Sequence, residues 1–568
     1  MSDLIGTKRP SRVRSVRTWV TISILIAVSL MVAYLLYRRV ASYAHPTGSA
    51  PAAPLEVDGT APEDGLRYGI ARLRYLGALG ILRTEGSLHD IGAQHGRLLA
   101  SEIQSNQQVF QDNVEQTVSA EGFLNNKMHN IRLRWGWRTL DDGIPGHQLA
   151  EIAGVVRGAS KSDVHMDYED LVRQSGLLDV GEPAAGSSGA ELWTIARAFT
   201  LLVPISSPVE QRLIVGRSLG LPGASDDGSS ARERPLLHIE HPKDALAHAS
   251  LAWPGMVGVL SGVNSQSIGV FLHFTKTSEV RLTREAQPST LIAKAILENA
   301  HSLDEAIAVL KKATCLGSAV FVVVDGNERS WAAIERSPST IQIRRGTGAA
   351  AIVDNLEGTK FKDDAINNRS QRTRPMLQRQ KRAQQLLKKS HTSTAEVVAM
   401  LRDRKSAEGS TLVLGHRAAI DDVASVHSAL FDVSGLVLWV SETGDASGAY
   451  RAIDLRHEFS AGSRPAPPPD IPAAGEDQGA RAAARAARRL TVQARRAQAR
   501  GELGRARELA AAALARSPTL PEALLTAGQM ARADNDELSA RALLQRFLEL
   551  GPDDLRAQEQ IEAWLGAN

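Results

Sequence analysis

The chain has 568 residues, too many for one small domain, and its 66 Lys and Arg against 63 Asp and Glu leave a formal net charge of +3, so no whole-chain field points to nucleic acid as a partner. A single cysteine, Cys315, excludes an intramolecular disulfide framework and any cysteine-rich zinc or iron–sulfur site. Hydrophobic residues at 43%, with 46 Gly and 24 Pro, are ordinary for a globular chain and confine disorder to local stretches.

After a basic segment over 1–18, residues 19–37 read WVTISILIAVSLMVAYLLY without a charge. As a helix at 1.5 Å per residue this is about 28 Å, which matches a bilayer's hydrocarbon core and predicts a transmembrane helix. Lys8, Arg9, Arg12, Arg14 and Arg17 precede it, while Arg38 and Arg39 follow. That bias predicts a single-pass inner-membrane protein with its N-terminus in the cytoplasm and the bulk of the chain periplasmic or otherwise extracytoplasmic. A cleaved signal peptide is the competing reading; the length of the apolar run and its YLLYRR ending stand against it. Residues 38–62, rich in Pro, Ala, Gly and Ser, read as a linker.

From 63 to 460 the chain reads as one large body or two intimate ones. Ser87, with Asp90 three residues on, predicts a capped helix that carries His95; no second metal ligand lies near this histidine, which is read as structural. β-branched runs at 211–218, 257–274, 319–337, 340–346, 350–355 and 427–442, broken by Gly, Asn and Asp, predict meandering antiparallel hairpins. Between them, 278–313 predicts two helices, the second capped by Ser302 with Glu305 at its third position. Cys315 follows this helical stretch. Lys311 and Lys312 would lower its pKa if they faced it, yet a cysteine flanked by Thr and Leu reads first as a small buried hydrophobe. No GxGxxG or GxxxxGK[ST] follows a strand, which argues against a doubly wound nucleotide fold, and no cofactor or metal is implied.

A Pro-rich stretch over 461–479 reads as a second linker, and 480–568 as an α-helical tail. The run RAAARAARRLTVQARRAQARG within it reads as a solvated basic helix face. Ala506, Leu509, Leu514 and Pro518 recur 34 residues later as Ala540, Leu543, Leu548 and Pro552. A small residue at the helix crossing, leucines on the buried face and a proline after the second helix make this period similar to the tetratricopeptide pattern, with a protein partner as the expected ligand of the tail. The Pro-rich linker predicts a tail separable from the body.

Several pieces of the body carry a further likeness: EGSLHDIGAQHG (85–96), GSSGA (186–190), VGRSLGLPG (215–223), WPGMVGVLSGVNSQSIGV (253–270), VVVDGNERSWAAIERSP (322–338), IVDN (352–355) and ALFDVSGLVLWVSETGDASGAYRAIDL (429–455). Their order resembles the N-terminal-nucleophile (Ntn) acyltransferases of the isopenicillin N acyltransferase type. The resemblance implies an α+β fold with a four-layer αββα core, and autoproteolysis that frees a catalytic residue whose α-amine serves as general base.

At the expected junction two alignments stay open: Ser187 as nucleophile, or Gly186 in its place with nothing left to attack. Arg217 matches the arginine of the family's Gly-Arg-Asn-x-Asp, whereas the Asn and the amine-orienting Asp are replaced by Ser218 and Gly220. Asn264 matches the oxyanion-side asparagine and Asn355 the second asparagine, with a turn role as the other reading of each. Arg372 or Arg374 sits where the family carries a further arginine. The resulting expectation is an extracytoplasmic acyltransferase or amide hydrolase acting on an unidentified acyl or amide small molecule or peptide. The alternative is a catalytically degenerate Ntn-fold protein that serves as a binding or scaffold module.

Overall fold

The computed structural model describes residues 12–41, 43, 45–59, 64–108, 137–180, 197–206, 211–220, 234–279, 284–373, 375–460, 468–475, 478–551 and 555–567. Helix α1 (Arg12–Ala41) contains the apolar stretch, and the side chains from Trp19 to Leu35 are exposed along it. Among the described residues no helix is long and apolar enough to cross a membrane, so the span expected over 19–37 finds no support in them. The spacer that follows is held to the body at several points: the His45 ring lies 4.5 Å from that of Tyr168, the Pro51 carbonyl accepts from the Tyr68 hydroxyl, and Leu55–Val57 pair as a strand with Leu66–Tyr68. Tyr43 is buried in the body and donates to the Trp137 carbonyl at 2.6 Å.

Strands β1 (Leu55–Val57), β2 (Gly65–Tyr68), β3 (Ala71–Leu76) and β4 (Leu79–Gly86) form an antiparallel meander that leads into α2 (Leu88–Leu98). The predicted cap is present: Ser87 Oγ accepts from the Asp90 N–H at 3.2 Å, and Asp90 Oδ2 accepts from the Ser87 N–H at 3.3 Å. Helix α3 (Gly146–Ser160) crosses α2 backbone to backbone. A Cβ at Gly92 would lie 2.0 Å from the Glu151 carbonyl and one at Gly96 2.0 Å from that of Val155, with Gly154 and Gly158 equally tight in return. Helix α4 (Tyr168–Val180) completes this part of the layer.

Next come β5 (Arg197–Ser206), β6 (Gln211–Gly220), β7 (Leu236–Pro242), β8 (His248–Ala252), β9 (Ser261–Asn264), β10 (Ile268–Thr275) and the short β11 (Ala286–Gln287). Helices α5 (Ser289–Asn299) and α6 (Leu303–Lys312) are the predicted pair, with Glu305 N–H on Ser302 Oγ at 3.3 Å. They precede β12 (Thr314–Cys315), β13 (Ser318–Asp325), β14 (Ser330–Arg336), β15 (Ile341–Gly346) and β16 (Ala350–Val353). The body ends with α7 (Ala365–Thr373), α8 (Met376–Leu386), α9 (Thr394–Leu401), β17 (Ser425–Asp432), β18 (Val437–Ser441), β19 (Tyr450–Asp454) and α10 (Leu455–Phe459).

Two sheets result. The larger has eleven strands in the order β1-β2-β3-β4-β7-β8-β9-β10-β13-β14-β15, antiparallel except where β4 runs parallel to β7. The smaller has the order β16-β5-β6-β17-β18-β19. Period-two alternation divides each strand between two faces. Leu237, Phe271 and Val322 of the large sheet meet Val215, Phe431 and Leu438 of the small one. The outer face of the large sheet packs Val270 and Phe321 against Ile296 and Ile307 of α5 and α6. That of the small sheet packs Leu201 and Leu430 against Met376 of α8 and Val397 of α9. The layers are helix, sheet, sheet, helix.

The tail is built from α11 (Gln478–Ala499), α12 (Leu503–Arg516), α13 (Pro521–Ala533), α14 (Glu537–Glu549) and α15 (Leu555–Ala567). Ala506, Leu509 and Ala540 are buried in it, Leu543 partly. The linker and the first tail helix make contacts with the body that the proline content does not predict. Ile471 exchanges backbone hydrogen bonds with Tyr450, and Arg402 donates to the Pro472 carbonyl at 2.8 Å. Arg481 is buried and paired with Asp421 and Asp445, and Arg485 meets Asp445 at 2.7 Å. The basic face of α11, expected in solvent, is thus engaged in part with acids of the body.

Candidate functional site

Strand alternation sets one polar row inside the apolar sandwich. Arg217 of β6 is fully buried, and its guanidinium donates to Ser261 Oγ at 3.0 Å, Thr200 Oγ1 at 2.9 Å, His273 Nε2 at 2.9 Å and the Leu272 carbonyl at 2.5 Å. None of these partners is a carboxylate. Burial therefore pulls the Arg217 pKa down to about 9, with Asp354 acting in the opposite direction. Burial also drives His273 well below its ordinary value and His427 to about 3, and Arg217 adds to both shifts. His427 Nε2 lies 3.2 Å from Ser261 Oγ, so two neutral imidazoles and two hydroxyls surround one cation.

Thr200 Oγ1 is 2.8 Å from His273 Nε2, a hydroxyl-to-imidazole distance suited to activating a nucleophile. Both groups are fully buried and both are committed to Arg217. The row is a socket for a cation, not an open reaction centre.

From this row the small sheet runs to the end where β5 starts, β6 stops and β17 starts. The ladder there pairs Arg197 with Gly220 and Gly220 with Ser425. Ser218 Oγ shares a 2.7 Å hydrogen bond with Ser425 Oγ. Gly220 is the place of the orienting aspartate in the resembled family, and its ladder neighbour is an arginine. Arg197 pairs with Asp422 at 3.4 Å, as does Arg379 of α8 at 3.3 Å. Burial would raise the Asp422 pKa, but these two guanidiniums and the Ala424 N–H hold it below its ordinary value.

The residues singled out from sequence fare differently. Ser187 and Gly186 lie outside the described residues, as does Arg374; Arg372 falls in α7. Asn264 sits at the far end of β9 from Ser261 and is fully buried. Its Nδ2 donates to the Leu297 and Ala300 carbonyls at 3.0 and 2.8 Å, while its Oδ1 accepts from the Gln266 and Ile268 N–H groups at 3.0 and 2.9 Å. This turn-forming use leaves its amide no donor for an oxyanion. Asn355 is buried two residues past the Val353–Phe199 pair, and its Oδ1 has no hydrogen-bond partner among the described residues. Cys315 is buried, its pKa pushed up to about 11 by that burial with Arg336 opposing, and Lys311 and Lys312 are exposed.

A second buried cluster lies on the outer face of the large sheet, under α2, α3 and α5. Lys294 Nζ contacts Glu151 at 2.9 Å and Glu240 at 2.5 Å; His238 Nδ1 and His248 Nε2 approach Glu240 at 3.3 and 3.5 Å. His95, read from the sequence as structural, is buried and accepts the Gly255 N–H on Nε2 at 2.9 Å. Burial raises Glu151 to about 8 against the pull of Lys294. It works in the same upward direction on Glu240, where Lys294, His238 and His248 overcome it and hold the carboxyl well below its ordinary value. Lys294 and Glu240 form the closer pair, and burial favours the neutral form of Glu151 beside them. Among the described residues no group of His, Cys, Asp and Glu could hold a metal ion.

Residues 227–446 match the acyl-coenzyme A:6-aminopenicillanic acid acyl-transferase family. The match includes Asn264, Asn355, Arg379 and Asp422 and stops short of Arg217 and β5. Together with the two-sheet sandwich it supports an Ntn-hydrolase-like body. An uncharacterised protein of Archaeoglobus fulgidus is 22% identical over 286 residues, 48% of this chain and 46% of that protein, so the chain spans about half the length of this relative. Among solved structures, the Caenorhabditis elegans ortholog of N-acylethanolamine-hydrolyzing acid amidase is similar at 14% identity and TM-score 0.29, over 42% of this chain and 93% of that one. A mutant conjugated bile acid hydrolase from Clostridium perfringens is similar at 10% identity and TM-score 0.31, over 49% and 99%.

Proposed function

We propose that the chain is an Ntn-type amide hydrolase or acyltransferase, with Ser187 as the nucleophile freed by autoproteolysis. The observation that carries this reading is the acyl-transferase family match laid over a two-sheet sandwich. Arg217, the one residue of the Gly-Arg-Asn-x-Asp motif that the chain retains beyond its glycine, sits inside that sandwich on the strand paired with β5. The uncharged run over 19–37 and its flanking basic residues support a membrane anchor with the body outside the cytoplasm. The 34-residue recurrence supports a tetratricopeptide-like tail.

One observation favours a second reading, a non-cleaving Ntn-fold binding module. Arg197, not a hydroxyl residue, faces Gly220 in the ladder and is paired with Asp422. The two readings part on a denaturing gel. If the first holds, purified full-length protein separates into fragments 1–186 and 187–568, the latter beginning SSGAELW, and Ser187→Ala abolishes the cut. An intact chain after prolonged incubation, unreactive toward serine-directed acylating probes, refutes the enzyme and leaves the binding module.

A further inference from the structure

Three guanidiniums from three separate elements converge on the carboxylate of Asp422: Arg197 of β5 at 3.4 Å, Arg379 of α8 at 3.3 Å and Arg488 of the tail helix α11 at 3.2 Å. Asp422 and Arg379 are each about 95% buried, so these are not solvent-screened surface pairs. The carboxylate also fills a specific place. A Cβ built at Gly220 would lie 3.2 Å from Asp422 Oδ2, so a side chain at 220 and the carboxylate of 422 compete for the same space. The loop between α9 and β17 delivers Asp422 there, and the next turn is fixed by the Ala424 N–H on Asp422 Oδ1 at 3.0 Å.

Arg488 is itself held from the tail side. It meets Glu522 of α13 at 3.3 Å, and Glu522 returns to the body through Arg417 at 3.1 Å. A closed circuit of alternating charge therefore runs from β5 through Asp422, Arg488 and Glu522 back to the loop that carries Asp422.

We propose that Asp422 is the positioning carboxylate of the β5 and β6 strand ends, supplied in place of a side chain at 220, and that α11 holds it there through Arg488, which makes the helical tail a working part of the site. This rests on the Ntn reading only for the reaction that the strand ends would serve. The juxtaposition itself belongs to the fold.

The test uses the full-length chain with Arg488→Gln, Arg488→Lys and, as a control, Arg505→Gln, whose exposed pair with Glu508 lies on the tail surface. Hydrogen–deuterium exchange is read on peptides covering 197–206 and 211–220. Arg488→Gln is expected to speed exchange there by about tenfold, Arg488→Lys to restore most of the protection because it keeps the charge, and the control to change nothing. If the wild type cuts itself or takes a serine-directed acylating probe, that rate should fall in Arg488→Gln and recover in Arg488→Lys. Exchange within about twofold of wild type in Arg488→Gln, or a lysine variant no better than the glutamine one, overturns the proposal. Asp422→Asn guards against a tail-only effect: it must raise exchange at the same strand ends. A wild type that neither cuts nor labels refutes the enzyme reading alone, since exchange decides this one independently.

Discussion

Replacing Lys294 with Met removes the cation that Glu151 and Glu240 share while nearly preserving volume. The ammonium is fully buried and touches Glu151 at 2.9 Å and Glu240 at 2.5 Å. Near 4 Å and at an effective dielectric of about 20, a unit charge pair is worth about 4 kcal/mol. Losing one member of a buried pair typically costs about 3–5 kcal/mol because the other charge is left uncompensated. We expect Lys294→Met to lose that amount in a urea titration at pH 7.5. The sign with pH follows from Glu240, whose pKa Lys294 holds well below its ordinary value. Without the ammonium, burial raises that pKa above the unfolded one, so the variant's stability is retained at low pH and lost as pH rises through the new value. The deficit should therefore be smaller at pH 5 than at pH 7.5. Adding Glu240→Gln should recover much of the loss, since no buried charge is then stranded. A single variant within about 1 kcal/mol of wild type, or a double variant no better than the single, refutes the reasoning.

Gly96→Ala places a methyl 2.0 Å from a backbone carbonyl that cannot swing aside, so it should cost on the order of 1–3 kcal/mol in thermal melts, whereas Gly146→Ala, with open space around it, should stay within about 0.5 kcal/mol. His427 is held to about 3 by burial, so it is neutral in the fold and its contribution is present above the unfolded pKa and lost as pH falls below about 6.5. The stability gap between wild type and His427→Gln should narrow on going from pH 6.5 to 4.5, and parallel curves would contradict this. Cys315, buried and with its thiol pushed up to about 11, should resist a thiol reagent in the native protein and react once urea unfolds it.

Local signals are legible where one stretch of chain contains its own partner. Ser87 with Asp90 and Ser302 with Glu305 cap their helices as the spacing predicts. The runs at 211–218 and 340–346 are strands within a residue or two, and 319–337 is an antiparallel hairpin of two strands. Arg217 can be picked out because Gly216 and Arg217 stand in a strand. What escapes depends on partners far away in sequence. Arg197 gains its meaning from Gly220 and Asp422, and Asp422 from Arg379 and Arg488. The basic run of α11 reads as a solvated face because its acids, Asp421, Asp422 and Asp445, lie roughly 35–65 residues upstream and carry no motif. Lys294, Glu151 and Glu240 sit on three elements, and no single-window pattern unites them.

The parallel pairing of β4 with β7 has a consequence in time. Gly80–Gly86 of β4 are matched to Leu236–Pro242, so the strand that completes this ladder is made about 150 residues after its partner. At roughly 5–20 residues per second, synthesis leaves the outer edge of β4 waiting for about 8–30 s. During that interval its unpaired N–H and C=O groups and the side chains of Leu79 and Ile81, buried in the finished sandwich, are open to any other extended chain. The four-stranded N-terminal meander is thus a segment that a nascent copy of this protein needs shielded, and a chain stalled before Leu236 is a species expected to aggregate.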